Sequence, residues 1–383
     1  SIFFKDLNKM VFSKYLNKMQ QIEVLLINFL DDEENSGQKS PIFNINFFEG
    51  LSSEGKKCRL KEILHLILQM ANHHHRSTDF YPKIFTILAY FKDEIKQSYS
   101  NYEIFRIFSE NKRILSFLFK ERILNFDEQF VELFKDKSYQ FYLIPDIIVD
   151  ENDKSDKCSL FEINREKGEN ESVICQIIRR DSVEEFKEFV DKEKISISKT
   201  KIESSIFETN SFLIDKKPTL IEYAAFFGSL HIIQYLHSEK VKLTSSLWLY
   251  AIHSNNKELI DFLEKNRVKP EDRSYQNCFE EAVKCHHNSL AKYIQNNLLK
   301  KKRFSYSKMI QFHNYEFLKD IDSYNYLNDF IECDYPEMVS ILLKNNDFDI
   351  NTKRILIKIV FHTIFILAIY EINNFLVFTK FHA

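Results

Sequence analysis

The feature that most constrains this chain is a pattern that recurs through its second half. A pair of small or apolar residues is followed by two more residues, then by one that tolerates left-handed backbone, then by an apolar helix. The clearest copy is TLIEYAAFFGSLHIIQYL (219–236), where Ala224 and Ala225 precede Gly228 and LHIIQYL follows. With only five glycines in 383 residues, one here needs a reason. SSLWLYAIHSNNKELIDFL offers Ala251, Ile252 and Asn255, and CFEEAVKCHHNSLAKYI offers Ala282, Val283 and His286. Upstream, VICQIIRRDSVEEFKEFV gives Ile177, Ile178 and Asp181, and FIECDYPEMVSILL near the end gives Phe330, Ile331 and Asp334. A weaker copy covers 309–321. A tight turn between antiparallel helices calls for a left-handed residue. Glycine supplies it without strain, and Asn, Asp and, less readily, His tolerate it. Asp181, Gly228, Asn255, His286 and Asp334 are therefore structural turn residues, each closing a helix–turn–helix unit.

Between equivalent residues ahead of the second helix (Glu184, His231, Glu258, Ser289, Glu337) the steps are 47, 27, 31 and 48 residues. The two short steps bracket the ankyrin period of about 33 residues, and the long ones leave room for a loop or a degenerate unit. Against the ankyrin pattern T-P-L-H-x-A-A-x-x-G, the chain keeps Thr219, Ala224, Ala225 and Gly228, and DFDIN (347–351) resembles the hairpin that leads into a next unit. The first third also reads as helix. Leu7, Val11, Tyr15, Met19, Ile22, Leu26 and Phe29 form one stripe, ended by the acidic run from Asp31 to Glu34, and Leu60, Ile63, Leu64, Ile67 and Leu68 form another. Pro82 opens a third helix, and Asn111 hinges two short ones. Strand signals are weak, IPDIIV (144–149) being the best. The expected fold class is all-α: an N-terminal helical domain (1–150), a polar linker (151–171), and an ankyrin-like helix–turn–helix solenoid (172–351, best matched over 218–298). An apolar tail (352–383) follows.

The strings IEYAAFFGS, LWLYAIHSNN, FEEAVKCHHN and YIQNNLL, together with LKEILHLI, NHHHRS and NKRIL nearer the start, occur in one order. In this the chain resembles the ankyrin-like family of unknown function expanded in trichomonad-type protists, over nearly all of residues 1–351. The resemblance implies an ankyrin-type solenoid without known enzymatic activity, and it transfers no catalytic residue.

Function classes narrow by chemistry. A net charge of −3 argues against a polyanion-binding protein, so no nucleic-acid partner is expected. There is no phosphate-cradling glycine loop, nucleophile elbow or H-E-x-x-H motif, hence no catalytic residues and no cofactor. The six cysteines are scattered without a Cys-x-x-Cys pair, as reduced thiols of an intracellular, cytoplasmic protein would be. His73, His74 and His75 are read as a polar helix end, since adjacent side chains on a helix diverge. Cys278, Cys285, His286 and His287 lack zinc-finger spacing. No metal is therefore expected. The basic run Lys300–Arg303 is read as a solvated loop.

The tail has three readings: a membrane anchor over 355–379, a buried cap, or translated sequence foreign to the repeat. Its longest charge-free run, Ile359 to Tyr370, is twelve residues, short of the ~18–20 that span a bilayer. The expected function is a non-enzymatic scaffold for an unidentified protein partner, with a membrane-tethered protein as the alternative and an enzyme without motif as a distant third. Ankyrin-type arrays bind on their concave face, placing Phe226, Phe227, His253, Ser254, Lys284 and Cys285 at the partner surface. Core packing is the competing role of the two phenylalanines.

Overall fold

The structure, a computed structural model, describes residues 2–32, 46–77, 79–126, 142–143, 156–214, 216–299, 305–318, 321 and 323–343. It is all-α: eighteen α-helices and no strand among the described residues, with one isolated antiparallel bridge between Lys201 and Thr219. The first six helices are α1 (Ile2–Asp31), α2 (Ser53–His73), α3 (Phe80–Tyr90), α4 (Lys92–Ser98), α5 (Asn101–Phe108) and α6 (Lys112–Lys120). The stripe on α1 buries Tyr15, Met19, Ile22 and Leu26, joined by Phe12, Leu16 and Leu30, whereas Val11 is exposed. Asn111 is the N-cap of α6, its side chain accepting from the Ile114 amide. IPDIIV, the basic run 300–303, DFDIN and the tail lie outside the described residues.

Within the stretch read as a polar linker, residues 156–167 form helix α7 (Asp156–Lys167). Its buried Arg165 donates to the Tyr142 carbonyl (3.0 Å), and Arg113 of α6 donates to the Lys167 carbonyl (2.9 Å). These tertiary bonds outweigh the polar composition that reads as linker.

Helix pairs follow: α8 (Val173–Arg179) with α9 (Val183–Lys192), α10 (Leu220–Phe227) with α11 (Leu230–Ser238), α12 (Leu247–Ser254) with α13 (Lys257–Lys265), and α14 (Gln276–Lys284) with α15 (Asn288–Tyr293). Then come α16 (Tyr306–Gln311) with a 3-10 turn at Tyr315–Phe317, and α17 (Leu327–Glu332) with α18 (Pro336–Leu343). Between the helices of these six pairs the turn residue is left-handed every time: φ is 52° at Asp181, 72° at Gly228, 52° at Asn255, 56° at His286, 52° at His313 and 61° at Asp334. The weaker copy at 309–321 is thus a sixth unit with a turn of the same kind. Each turn amide donates to the carbonyl three residues back, as Asn255 does to Ile252 (3.2 Å) and His286 to Val283 (3.1 Å), closing the first helix.

The residue after the turn ties each unit to the one before it. The Ser229 hydroxyl donates to the Ile178 carbonyl (2.6 Å), His287 Nδ1 to Ile252 (2.8 Å), Asn314 Nδ2 to Val283 (2.8 Å) and Tyr335 OH to Ile310 (2.7 Å). In all four the acceptor lies three residues before the preceding unit's turn, at the C-terminal end of its first helix. Asn256 varies the theme, donating to the Gly228 carbonyl (3.1 Å). Helix ends leave carbonyls without intrahelical partners, and this chain uses them as its unit-to-unit joint. The first helices α8, α10, α12, α14 and α16 pack against one another in that order, around the fully buried Trp248, Tyr223 and Phe279.

Candidate functional site: an inner face covered by the chain itself

The turns and the ends of the first helices line one side of the repeat units, and two segments of the same chain lie against it. The first is the connection between α9 and α10. Phe212 from this segment stacks on Phe226 (ring centroids 5.9 Å, 13°) and meets His253 at 4.1 Å and Tyr250 at 5.0 Å. The Lys216 ammonium sits 3.1 Å from the Phe212 ring centroid. Ser211 donates to the Asn72 carbonyl (2.8 Å), and Arg76 grips Thr209 through both its hydroxyl (2.9 Å) and its carbonyl (3.0 Å). The connection thereby lies between the repeats and the end of α2.

The second segment is the pair α1 and α2, which deliver two buried carboxylates to the later units. Glu23, with no exposed surface, accepts from His286 (2.9 Å), from Asn288 Nδ2 (3.1 Å) and from the Glu316 amide (3.0 Å). Glu62 accepts from the Glu337 and Met338 amides (2.8 and 3.2 Å) at the start of α18, where free N–H groups attract a carboxylate. Tyr15 also donates to Glu62. Burial first, and then the neighbouring Glu337 carboxylate, push the Glu62 pKa up to about 8. Arg59 holds Glu337 by two bonds, and Lys61 and His65 hold Asp334 (2.7 and 3.2 Å). Burial alone would raise the Asp334 pKa, but the His65 hydrogen bond and the Lys61 ammonium outweigh it and the net shift is downward.

The six residues expected at a partner surface divide accordingly. Phe226, His253 and Cys285 are buried, because Phe212 and the end of α2 already occupy their side. For Phe226 the packing role is the one observed. Phe227, Ser254 and Lys284 remain half-exposed. The Arg179 guanidinium lies 5.7 Å from the Phe227 ring centroid, and Lys284 pairs with Glu281 (3.2 Å). The sequence reading missed Asp31, Glu23, Glu62 and Phe212. Only Phe212 had an advance signal, the 47-residue step that contains it, too long for a bare turn.

Two clusters of reactive side chains arise where the segments meet. In one, Cys285 Sγ lies 3.5 Å from His253 Nδ1, and His253 Nε2 lies 2.8 Å from Glu281. This is the order of a thiol, an imidazole and an orienting carboxylate. However, the Cys285 side chain is fully buried, and burial together with Glu281 raises the thiol pKa well above its usual value. Burial works to raise the Glu281 pKa, but His253 and Lys284 hold it down to about 2. The other cluster joins the two histidine strings that looked unrelated in sequence. The His74, His75 and His287 rings lie within 4.5–5.1 Å of one another, beside Asp31. Burial, and then the His74 charge, lower the pKa of His75 to about 4 and that of His287 well below the usual histidine value.

Compared with known protein families, with curated proteins and with solved structures, the chain matches none. No helix among the described residues is long and apolar enough to cross a membrane.

Proposed function

We propose that the chain is a cytoplasmic, ankyrin-like solenoid that works as a protein–protein interaction scaffold without catalytic chemistry of its own. The observation that carries this reading is the inter-unit ladder: six left-handed turns and a side chain after each of five of them bonded to the preceding unit. Units that cannot bury their apolar faces alone gain stability by stacking, and a stack offers an extended surface rather than a pocket. The free thiols of the five described cysteines agree with a reducing compartment. Partner contact on the concave side falls to Phe227, Ser254 and Lys284, next to the covered Phe226, His253 and Cys285.

The test is affinity isolation from cells that express the protein naturally, comparing the native chain with the pair Phe227→Glu, Lys284→Glu. Glu188→Lys, on the exposed side of α9, serves as control. Loss of one co-purifying protein in the double variant but not in the control supports the reading. Equal recovery from all three moves the partner surface elsewhere.

A further inference from the structure

We propose that Asp31, His74, His75 and His287 bind one divalent transition-metal ion, zinc by preference, which fastens α1 and α2 to the fourth repeat unit. The four donors come from three places in the chain: the last residue of α1, the two residues after α2, and the residue after the turn between α14 and α15. His74 and His75 do not diverge as neighbours on a helix would, because α2 stops at His73 and His74 is extended (φ −67°, ψ 153°). Their ring centroids lie 4.5 Å apart.

The hydrogen bonds around the rings orient them as metal ligands. His74 Nδ1 lies 2.8 Å from the Cys285 carbonyl, and His287 Nδ1 lies 2.8 Å from the Ile252 carbonyl. A carbonyl only accepts, so both Nδ1 atoms carry the proton. Backbone carbonyls that fix the Nδ1–H of a histidine in this way are the usual outer support of a ligating Nε2. The two Nε2 atoms have different nearest partners, Asp31 for His74 and His75 for His287. His74 Nε2 is 2.7 Å from Asp31 Oδ1, His75 Nε2 is 3.4 Å from that same oxygen, and His75 Nδ1 is 3.1 Å from His287 Nε2. The ligand atoms of the three histidines lie within 4.8 Å of one another. Tetrahedral zinc with bonds of about 2.0–2.1 Å draws its donors to about 3.3 Å, so side-chain adjustment completes the shell. A neutral His75 has one ring proton for two acceptors, His287 Nε2 and the Asp31 carboxylate. His287 Nε2 also accepts from the His75 backbone amide at 3.4 Å, so an entering ion takes over that lone pair. The proton that must lie between His74 Nε2 and Asp31 leaves as the ion enters.

Three imidazoles and one carboxylate suit zinc, cobalt or nickel rather than magnesium or calcium, which take oxygen shells. Entry is open, since the Asp31 and His75 side chains are 35% and 26% exposed while His74 is 1% exposed. The neighbouring group His253, Glu281 and Cys285 is the weaker candidate. Its imidazole Nε2 and Lys284 already satisfy Glu281, and its thiol is held protonated by burial.

The experiment uses the full chain, stripped with a chelator and dialysed. It is titrated with zinc chloride by calorimetry and with cobalt(II) by visible absorption. His75→Gln and Asp31→Asn each delete a donor while leaving both carbonyl-anchored rings in place; His237→Gln, on the exposed face of α11, is the control. One zinc per chain is expected, with proton release, a rise in Tm and the intense visible bands of tetrahedral cobalt. Affinity should fall at least tenfold in either donor variant and stay unchanged in the control. Equal affinity in wild type and folded donor variants overturns the proposal. So does a native chain that takes up no cobalt at micromolar concentration, or binds it only with weak six-coordinate bands, a result that stands even if a variant fails to fold.

Discussion

At the scale of single residues, the turn positions carry the clearest consequences. Gly228 has φ 72°, and a Cβ there would lie 3.2 Å from Ser254 Cβ and 3.3 Å from Asn256 Cβ. Gly228→Val combines that crowding with a β-branched residue in left-handed backbone, and a loss of about 1–3 kcal/mol is expected in chemical denaturation. Gly228→Asn should lose less, since Asn tolerates the backbone, but it meets the same two Cβ atoms and is not neutral. Equal midpoints for the two variants would show that backbone strain is not what selects glycine here. Five of the six turns were legible in the sequence because few residue types accept this conformation. His313 was not read as a turn residue, its copy being the weakest. The inner-face residues were only half legible. The spacing located Phe226, His253 and Cys285, but their burial is decided by Phe212 and by the end of α2, which no local pattern announces.

At the scale of elements, the inter-unit ladder predicts a graded series. Ser229→Ala removes one buried hydroxyl from the Ile178 carbonyl, an expected loss of about 1 kcal/mol. Asn314, with no exposed surface, donates to both the Val283 carbonyl and Asn288 Oδ1. Asn314→Ala should therefore lose more, about 1–3 kcal/mol, because a buried carbonyl and a half-buried amide oxygen are left without that donor. Asp181 both forms a turn and accepts from the His231 and Ile232 amides at the start of α11 (3.0 and 2.9 Å). Asp181→Gly keeps the backbone but loses the cap and the contact of Asp181 with His231 Nδ1 (2.7 Å), so a loss near 1 kcal/mol measures the two together. Equal midpoints for wild type and all three variants would mean that the ladder contributes nothing to stacking. Helix periodicity made most elements readable. Helix α7 was misread because its stabilising contacts, Arg165 with Tyr142 and Lys167 with Arg113, join residues far apart in sequence.

At the scale of the whole molecule, the first six helices and the repeats share a polar seam, which sets a pH dependence. The Glu62 pKa is raised from 4.5 to about 8 by burial and then by Glu337. A folded-state pKa above the unfolded one means that the contribution is fully present below about pH 4.5 and is lost as pH rises toward 8. Glu62→Gln, which keeps an oxygen for the α18 amides, should remove most of that decline, so wild type and variant diverge progressively between pH 5 and 8. Parallel curves would place the proton elsewhere. The seam also predicts how the halves depend on each other. In the full chain, Glu23 and Glu62 satisfy amides of the last two units, Arg59 neutralises a buried Glu337, and Phe212 covers Phe226. A chain restricted to 172–343 keeps the ladder and Phe212 but loses both carboxylates and Arg59, leaving His286 and Glu337 without their charged partners. Losing one partner of a buried ion pair typically costs about 3–5 kcal/mol, comparable to the whole stability of a modest domain. The isolated repeats should melt well below the full chain and bind a hydrophobic dye, while the full chain unfolds in one transition. A shared melting temperature for the two would instead make the seam a resting contact between independently stable halves.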